Sequence, residues 1–304
     1  MAEDLIQFWR RYQWRAGELG VHPEDRAWME QHWPAPLREP YLDWPAYLKS
    51  SRFGSKDTDV HLSHLPAPFW GDLDRARVLL FLKNPGFDNT DYYLESQPDF
   101  REAHLHGLRS PAEPFPFPFI HLDPRFSWSG SFLWWEQRLR PILDALTAEN
   151  GLTYQEALHI LANQIAAVQL FPYRSRDSSR LRYQTRAGGT MPSVAAAQRF
   201  LTERAHAAVN ANAAANASTH KPSSANQQLI LLMRSHAGWI TDACPAPDHR
   251  NYIHGPRLQG VSLHPRFPAG KRLLKVIRQS LHEKTKQQLI TDSPSHRKRP
   301  PIEL

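Results

Sequence analysis

The sequence predicts an α/β fold of three layers, in which helices cover both faces of a central four-stranded parallel sheet. Four short apolar runs occur at residues 77–83, 165–172, 228–233 and 261–263. They are continuously apolar rather than alternating, as expected of strands buried on both faces. Segments of helical character separate them, which favours parallel strands joined by helical crossovers. Several of these runs end next to a polar residue and a proline, which marks the end of a strand because proline cannot continue a central strand.

Helices are expected before, between and after these strands. Apolar positions at near-helical spacing in residues 2–33 predict an amphipathic helix followed by a shorter second one. Prolines at 34, 36, 40 and 45 then indicate an extended connection, and residues 84–130 are expected to be a long, loop-rich passage. Further helices are predicted from residue 130 to about 146 and at 153–164, 193–209 and 271–282.

This pattern divides the chain into three parts. Residues 1–70 are expected to form an N-terminal helical extension, and residues 71–285 an α/β domain. Within that domain, the alanine- and asparagine-rich stretch 207–226 has no apolar periodicity and is expected to be a mobile insertion. Residues 286–304 are rich in basic residues and proline, which is typical of a disordered tail.

Composition limits the class of partner. The 304 residues carry a net charge of +7 and a pI of about 9.6, so polyanions such as DNA are the expected partners. Ten tryptophans and fourteen phenylalanines offer rings that can stack on bases. The single cysteine, Cys244, excludes an internal disulfide and a four-cysteine metal or iron–sulfur site. We find no His-Glu-x-x-His spacing and expect neither a metal nor another cofactor.

The sequence lacks two kinds of segment that would indicate a membrane or a secreted protein. No apolar run approaches the roughly 18 residues of a membrane span, so no membrane association is expected. The N-terminal residues lack the basic and apolar regions of a signal peptide. The sequence therefore predicts a cytoplasmic protein, and we expect a monomer.

Two motifs follow the first and the last predicted strands. Asn84-Pro85-Gly86 comes directly after residues 77–83, and His264-Pro265-Arg266 follows residues 261–263. The carboxyl ends of parallel strands open into the ligand crevice of an α/β sheet. We therefore expect Asn84 and His264 to face the same crevice.

With the residues between these motifs, the chain resembles the uracil-DNA glycosylase superfamily over about residues 75–282. Its mismatch-specific and single-strand-selective branches carry a similar Asn-Pro-Gly, and family members have a His-Pro or Asn-Pro motif after the last strand. Phe117 to His121, followed by Ser131 to Trp134, is similar to the base-stacking loop and next helix of the family. Gln169 to Pro172 occupies the place of its Asn-x-x-Pro segment.

The resemblance implies a monofunctional hydrolase that flips a base out of DNA and cleaves its N-glycosidic bond. Asn84 would hold the attacking water, and His264 would donate a hydrogen bond to the departing base. Asp88, or Asp91 nearby, could supply a carboxylate. The expected base-binding residues are Gly86, Phe87, Phe119 as the stacking ring and Gln169 as the reader of the polar edge.

The resemblance also implies a DNA-binding surface. Phe267 and Pro268 follow the second motif where family members insert a wedge into the base stack. Basic residues near the predicted strand ends are candidate phosphate contacts, namely Arg266, Lys271, Arg272, Arg174, Lys83 and Arg176.

Departures from the family bear on the substrate. Where the uracil-restricted branch has a tyrosine that excludes groups on C5 of the pyrimidine, this chain has Gly86. Arg266 replaces the usual serine, and Gln169 is longer than asparagine. A wider pocket with extra donors fits a modified pyrimidine, for example the hydroxymethylated or glucosylated cytosine of phage DNA, and implies a role in antiviral defence.

Three alternatives remain open from the sequence. The protein could be a uracil or mismatch repair glycosylase. It could be a DNA-binding protein of the same fold without catalytic activity. It could also hydrolyse nucleotides or other N-glycosides, in which case activity would not require polymeric DNA.

Overall fold

The computed structural model has a mixed α/β fold built on a five-stranded sheet. The strands are β1 (Phe69–Trp70), β2 (Val78–Leu82), β3 (Ile165–Gln169), β4 (Leu229–Leu232) and β5 (Tyr252–His254). The structure describes residues 5–15, 17–33, 43–51, 53, 59–109, 115–177, 181–185, 189–217, 228–233, 236–239, 252–254 and 261–291.

The sheet corrects the prediction of four parallel strands. Its order is β1-β3-β2-β4-β5, and β1 runs antiparallel to β3 while the other neighbouring pairs are parallel. Three of the predicted strands are confirmed as β2, β3 and β4. The expected strand at residues 261–263 is not part of the sheet. One backbone hydrogen bond links it to the region of β4, from the Val261 amide to the carbonyl of Met233, the residue after β4, at 3.2 Å.

Ten α-helices occur in the described residues. They are α1 (Leu5–Arg10), α2 (Pro23–His32), α3 (Trp44–Leu48), α4 (Asp91–Ser96), α5 (Pro98–Arg109), α6 (Gly130–Asn150), α7 (Tyr154–Ala162), α8 (Pro192–Ala217), α9 (His236–Trp239) and α10 (Pro268–Thr291). Two short 3₁₀ turns, Ile120–Leu122 and Pro124–Phe126, lie between α5 and α6. The passage 84–130, expected to be loop-rich, thus contains two α-helices that the sequence does not predict, α4 and α5.

Local sequence explains where several helices begin. Ser129 accepts a hydrogen bond from the Phe132 amide at the start of α6, and Gly151 ends this helix with a φ of 64°. Thr153 and Glu156 form a reciprocal capping box at the start of α7. These contacts satisfy amides and carbonyls that a helix leaves unpaired at its ends.

Helices pack on both faces of the sheet. Alternate residues of β2 point to opposite sides, so that Leu79 and Phe81 join one core and Val78, Leu80 and Leu82 the other. The first core contains side chains of α1, α2, α8 and α9, and the second contains those of α5, α6, α7 and α10.

The predicted parts of the chain are only partly covered by the described residues. Helix α8 continues to Ala217, so the first half of the expected insertion 207–226 is helical, whereas 218–226 lies outside the described residues. Helix α10 reaches Thr291, and the remainder of the expected tail, 292–304, is likewise outside them. Helices α1 and α2 lie where the spacing predicts a helix followed by a short second one, but α1, with six residues, is the shorter of the two, and α2 has ten.

Candidate functional site

A cavity of about 310 Å³ opens where β2 and β3 end. This is the position expected for a ligand crevice in an open α/β sheet. The lining residues come from β1, the end of β2 and the loop after it, the start of α4, the 3₁₀ turn Ile120–Leu122, the start of α6, and the end of β3 and the loop after it. They are Trp70, Leu82, Lys83, Asn84, Pro85, Gly86, Phe87, Asp88, Asp91, His121, Gly130, Ser131, Trp134, Trp135, Gln169, Arg174 and Arg176.

Asn84 lies at this edge of the sheet, two residues after β2 ends. Its Nδ2 donates a hydrogen bond of 2.8 Å to the backbone carbonyl of Ser175. This contact fixes the amide and leaves Oδ1 as the atom that can accept a hydrogen bond from a water molecule or a ligand. The structure therefore brings Asn84 to the cavity, as the sequence predicts.

Gly86 also lines the cavity, and its backbone explains why it is glycine. Its φ is 73°, in the left-handed region that other residues rarely adopt. A Cβ atom placed on Gly86 would meet nothing within 4 Å. The missing side chain therefore leaves open space beside the Asn84 turn.

Asp88 forms a short turn that docks against the start of α6. Its Oδ1 accepts hydrogen bonds from the Thr90 amide at 2.9 Å and the Thr90 hydroxyl at 2.7 Å. The same hydroxyl oxygen accepts from the Gly130 amide at 3.0 Å. A Cβ on Gly130 would lie only 2.4 Å from Asp88 Cγ, so this close approach requires glycine. Asp88 is exposed and lines the cavity.

A buried charge network lies next to the cavity and corrects the role expected for Arg174. Arg174 is 1% exposed, with Nη1 at 3.3 Å from Asp91 Oδ2 and Nε at 3.4 Å from Glu95 Oε1. Glu95 Oε2 also lies 3.1 Å from His64 Nδ1. An arginine enclosed by two carboxylates does not present its charge to a DNA backbone, so Arg174 is not a surface phosphate contact.

The carboxylates of this network have opposite pKa shifts. Burial raises the pKa of Asp91, and this effect outweighs its attraction to Arg174 and His64. For Glu95, burial opposes ionisation, yet His64, Arg174 and His104 together lower its pKa to about 2. Glu95 is therefore an anion at neutral pH.

Gln169 and His121 contribute polar groups to the cavity wall. Gln169 ends β3 and is 3% exposed, and its Oε1 has no hydrogen-bond partner among the described residues. His121 was not among the candidates from the sequence. Burial, and then the charges of Arg174 and His104, hold the pKa of His121 well below its usual value, so its ring is neutral. A neutral imidazole has one donor and one acceptor nitrogen.

Tryptophans form the apolar part of the wall. Trp70 lies 4.3 Å from the His121 ring, centroid to centroid, and Trp134 packs edge-on against Trp135 at 4.8 Å. The Arg138 guanidinium stacks 3.5 Å above the Trp134 ring. These rings come from β1 and α6, and no local motif in the sequence identified them as a group.

The two phenylalanines predicted to contact the base differ in position. Phe87 lines the cavity, stacked 3.6 Å from His61 and with Arg176 5.9 Å above its ring. Phe119 is fully buried and is absent from the cavity wall. Its ring packs edge-on against Trp135 at 4.9 Å, so Phe119 is a core residue that supports the wall.

The second motif lies outside the cavity wall. His264 is exposed, and its Nδ1 accepts from the Arg266 amide at 3.2 Å, as in a local turn. Arg266 stacks on the 40% exposed Phe267 at 4.8 Å. Pro268 and Lys271 are exposed and Arg272 half-buried at the start of α10. The structure thus does not bring His264 together with Asn84 around the cavity.

Two negative findings apply to the residues that the structure describes. They contain no group of three or more His, Cys, Asp or Glu side chains arranged to hold a metal ion. In the same residues, no helix has the length and apolarity needed to cross a membrane.

Neither the chain nor its fold matches a protein-family model, a curated protein or a solved structure. The resemblance to uracil-DNA glycosylases therefore rests on the sequence motifs alone.

Proposed function

We propose that the protein is a DNA glycosylase that flips a modified pyrimidine into this cavity and hydrolyses its N-glycosidic bond. The observation that carries the proposal is the meeting of Asn84 and Gln169, two amides from different strand ends, in one cavity walled by tryptophans. Aromatic walls hold a flipped base by stacking, and amide groups read its polar edge. The basic chain, with a net charge of +7, favours a polyanionic substrate such as DNA.

The role assigned to Asn84 is to position the attacking water. An amide cannot remove a proton from water, but Oδ1 can accept a hydrogen bond and hold the water below C1′ of the deoxyribose. The C1′–N bond breaks, the sugar develops oxocarbenium character, and the base leaves with the bonding electrons. Water supplies the hydroxyl at C1′, and its proton balances the charge on the departing base.

The departing base needs a hydrogen-bond donor, and His121 fits this role better than His264. His121 lines the cavity with a neutral ring, whereas His264 is exposed outside it. A donor that faces the developing negative charge stabilises the transition state more than the ground state. We therefore assign this contact to His121 in place of the residue that the family motif implies.

The open space at Gly86 supports a substrate larger than uracil. A cavity of about 150 Å³ holds a benzene ring, and the cavity here has about twice that volume, 310 Å³. Hydroxymethylated or glucosylated cytosine of phage DNA would use this space, and excision of such bases would act as an antiviral defence. Uracil or mismatch repair, and DNA binding without catalysis, are the competing functions.

The test is excision from a panel of DNAs that contain uracil, mismatches or modified cytosines, including phage genomic DNA. We expect abasic sites, scored as alkali-labile breaks, in modified DNA. Asn84→Ala should lower their rate of formation at least about 100-fold because the water loses its position. Asn150→Ala is the matched control, since Asn150 also donates its amide to a backbone carbonyl, at 3.0 Å, but on the far end of α6.

Three results would point elsewhere. Release of uracil alone would favour repair, and DNA binding that leaves every base in place would favour the inactive binding protein. Hydrolysis of free nucleosides or nucleotides without polymeric DNA would favour the N-glycoside hydrolase.

A further inference from the structure

Three buried polar atoms at the cavity have no hydrogen-bond partner among the described residues. They are Asp91 Oδ1, Arg174 Nη2 and Gln169 Oε1. Their residues are 2%, 1% and 3% exposed, and all three line the cavity. Leaving a buried donor or acceptor unpaired destabilises a fold, more so for a charged group. Three such atoms, each on a residue of the same cavity wall, point to a ligand that supplies the missing bonds.

Asp91 and Arg174 are held so that one atom of each remains for a ligand. Asp91 Oδ2 accepts from the Asp88 amide at 2.7 Å and lies 3.3 Å from Arg174 Nη1. Arg174 uses Nε on Glu95 at 3.4 Å. The atoms that remain are an acceptor, Asp91 Oδ1, and a donor, Arg174 Nη2, on two side chains already fixed by their mutual contact.

Charge around this pair favours a neutral group. Arg174 is flanked by Asp91 and by Glu95, whose pKa is lowered to about 2. A phosphate would meet two carboxylates, and an ammonium group would meet the guanidinium. A hydroxyl avoids both conflicts, because it donates one hydrogen bond and accepts others.

We propose that Asp91 and Arg174 form a subsite for a hydroxyl-bearing substituent on the flipped base, such as a hydroxymethyl group or a sugar. The hydroxyl donates to Asp91 Oδ1 and accepts from Arg174 Nη2, while Gln169 reads the edge of the base itself. The proposal rests on the proposed function for the identity of the base. In this proposal, Asp91 and Arg174 determine the preference for hydroxylated over plain alkyl substituents.

The size of the cavity and its apolar wall agree with this ligand. A cavity of about 150 Å³ accommodates a single aromatic ring, so about half of the 310 Å³ remains for the substituent. Trp70, Trp134 and Trp135 supply flat apolar surfaces for the faces of a base or a sugar. A methyl group in the same place would leave Asp91 Oδ1 and Arg174 Nη2 unpaired.

The experiment compares 5-hydroxymethylcytosine with 5-methylcytosine, which differ by one hydroxyl. The ratio of kcat/KM for the two bases, in otherwise identical oligonucleotides, is measured for the wild type and for Asp91→Asn. We expect the wild type to prefer the hydroxylated base and Asp91→Asn to reduce this preference about tenfold or more, the effect of losing a hydrogen bond to a charged group.

Asp123→Asn is the matched control. Asp123 is also a buried carboxylate paired with an arginine, with Oδ2 2.7 Å from Arg125 Nη2, but it belongs to neither the network of Arg174 nor the cavity wall. A purely structural role predicts that both substitutions change the preference alike, which would overturn the proposal. An unchanged preference in Asp91→Asn would also overturn it. Thermal unfolding of each variant verifies that the comparison is made on folded protein.

A second readout separates this proposal from the proposed function. Binding of the two free bases is followed by fluorescence of the tryptophans at the cavity and needs no catalysis. Preferential binding of 5-hydroxymethylcytosine that Asp91→Asn abolishes, without excision of any base, would support the subsite and reject the glycosylase. Excision of both bases with no preference would support the glycosylase and reject the subsite.

Discussion

Asp25, His22 and His104 show how the fold shifts the pKa of single ionisable residues outside the cavity. Asp25 is fully buried, accepts hydrogen bonds from Tyr173 and from the Ser193 amide, and has its pKa raised by burial to about 6. His22 and His104 are 2% exposed, and burial lowers the pKa of each to about 4. Burial therefore shifts the pKa of all three groups in the direction that favours the neutral form.

The lowered pKa values of the histidines and the raised pKa of Asp25 have opposite effects on how the unfolding free energy changes with pH. Folded His22 and His104 resist protonation more than the same residues in the unfolded chain. Their contribution to the unfolding free energy is therefore lost as pH falls from about 6.5 through 4. Folded Asp25 takes up a proton more readily than the unfolded chain, so its contribution grows as pH falls from about 6 towards 3.8. Asp25 thus offsets part of the acid destabilisation due to the histidines.

This offset predicts the behaviour of Asp25→Asn. We expect the variant to lose more unfolding free energy than the wild type between pH 6.5 and pH 4, by up to about 3 kcal/mol, since each pKa unit corresponds to about 1.4 kcal/mol. Urea unfolding at a series of pH values measures the difference. Parallel curves for the two proteins would show that Asp25 titrates normally in the folded state.

At the scale of elements, the predicted strands differ in how well the sequence identifies them. β2, β3 and β4 are continuous apolar runs of four or five residues and are predicted correctly. β1 and β5 have two and three residues, too few to show any pattern, and pairing to their neighbours defines them.

The missed helices have a different cause. α5 has an apolar face that is interrupted in the sequence by His104, which is buried and whose Nε2 donates a hydrogen bond of 3.0 Å to the Pro66 carbonyl. A buried histidine looks polar in a sequence pattern, and the helix therefore resembles a loop. α4 has only six residues and shows no full helical repeat.

The residues of the cavity also differ in how well the sequence identifies them. Asn84, Gly86, Asp88 and Gln169 follow strands that the sequence identifies, and the geometry of a parallel sheet brings strand ends together. His121 and the tryptophans reach the cavity through long-range packing that no local pattern records. The prediction for His264 fails because residues 261–263 are not a strand of the sheet.

The contact between α6 and the Asp88 turn gives a prediction for this element. Gly130→Ala would place a methyl group 2.4 Å from Asp88 Cγ, so the turn and the start of α6 must separate. We expect a loss of unfolding free energy and slower excision, because Asp88 and Ser131 line the cavity on either side of this contact. Thermal unfolding and the excision rate measure the two effects.

Gly107→Ala is the control for this substitution. Gly107 lies within α5, and a Cβ there meets nothing within 4 Å. Alanine should stabilise that helix by about 0.5–1 kcal/mol. Gly130→Ala should behave in the opposite way, and equal stability of the two variants would contradict the close approach.

On the scale of the whole molecule, the N-terminal helices belong to the α/β body. Trp9 of α1 is fully buried in the same core as Phe81 of β2 and Phe200 of α8. The His22 amide, just before α2, donates to the Tyr173 hydroxyl at 3.2 Å. Contacts of this kind hold α1 and α2 against one face of the sheet, although the sequence alone predicts that they form an N-terminal extension.

This integration predicts a large effect for Trp9→Ala. Truncating a fully buried tryptophan typically costs about 3–5 kcal/mol, through lost apolar burial and the cavity that remains. Because α1 shares a core with β2 and α8, the loss should lower the melting temperature of the entire fold in one transition. Trp128→Ala, at a position 42% exposed, should change it little. A separate early transition in Trp9→Ala, with the main transition unmoved, would instead assign the N-terminal helices to an independent unit.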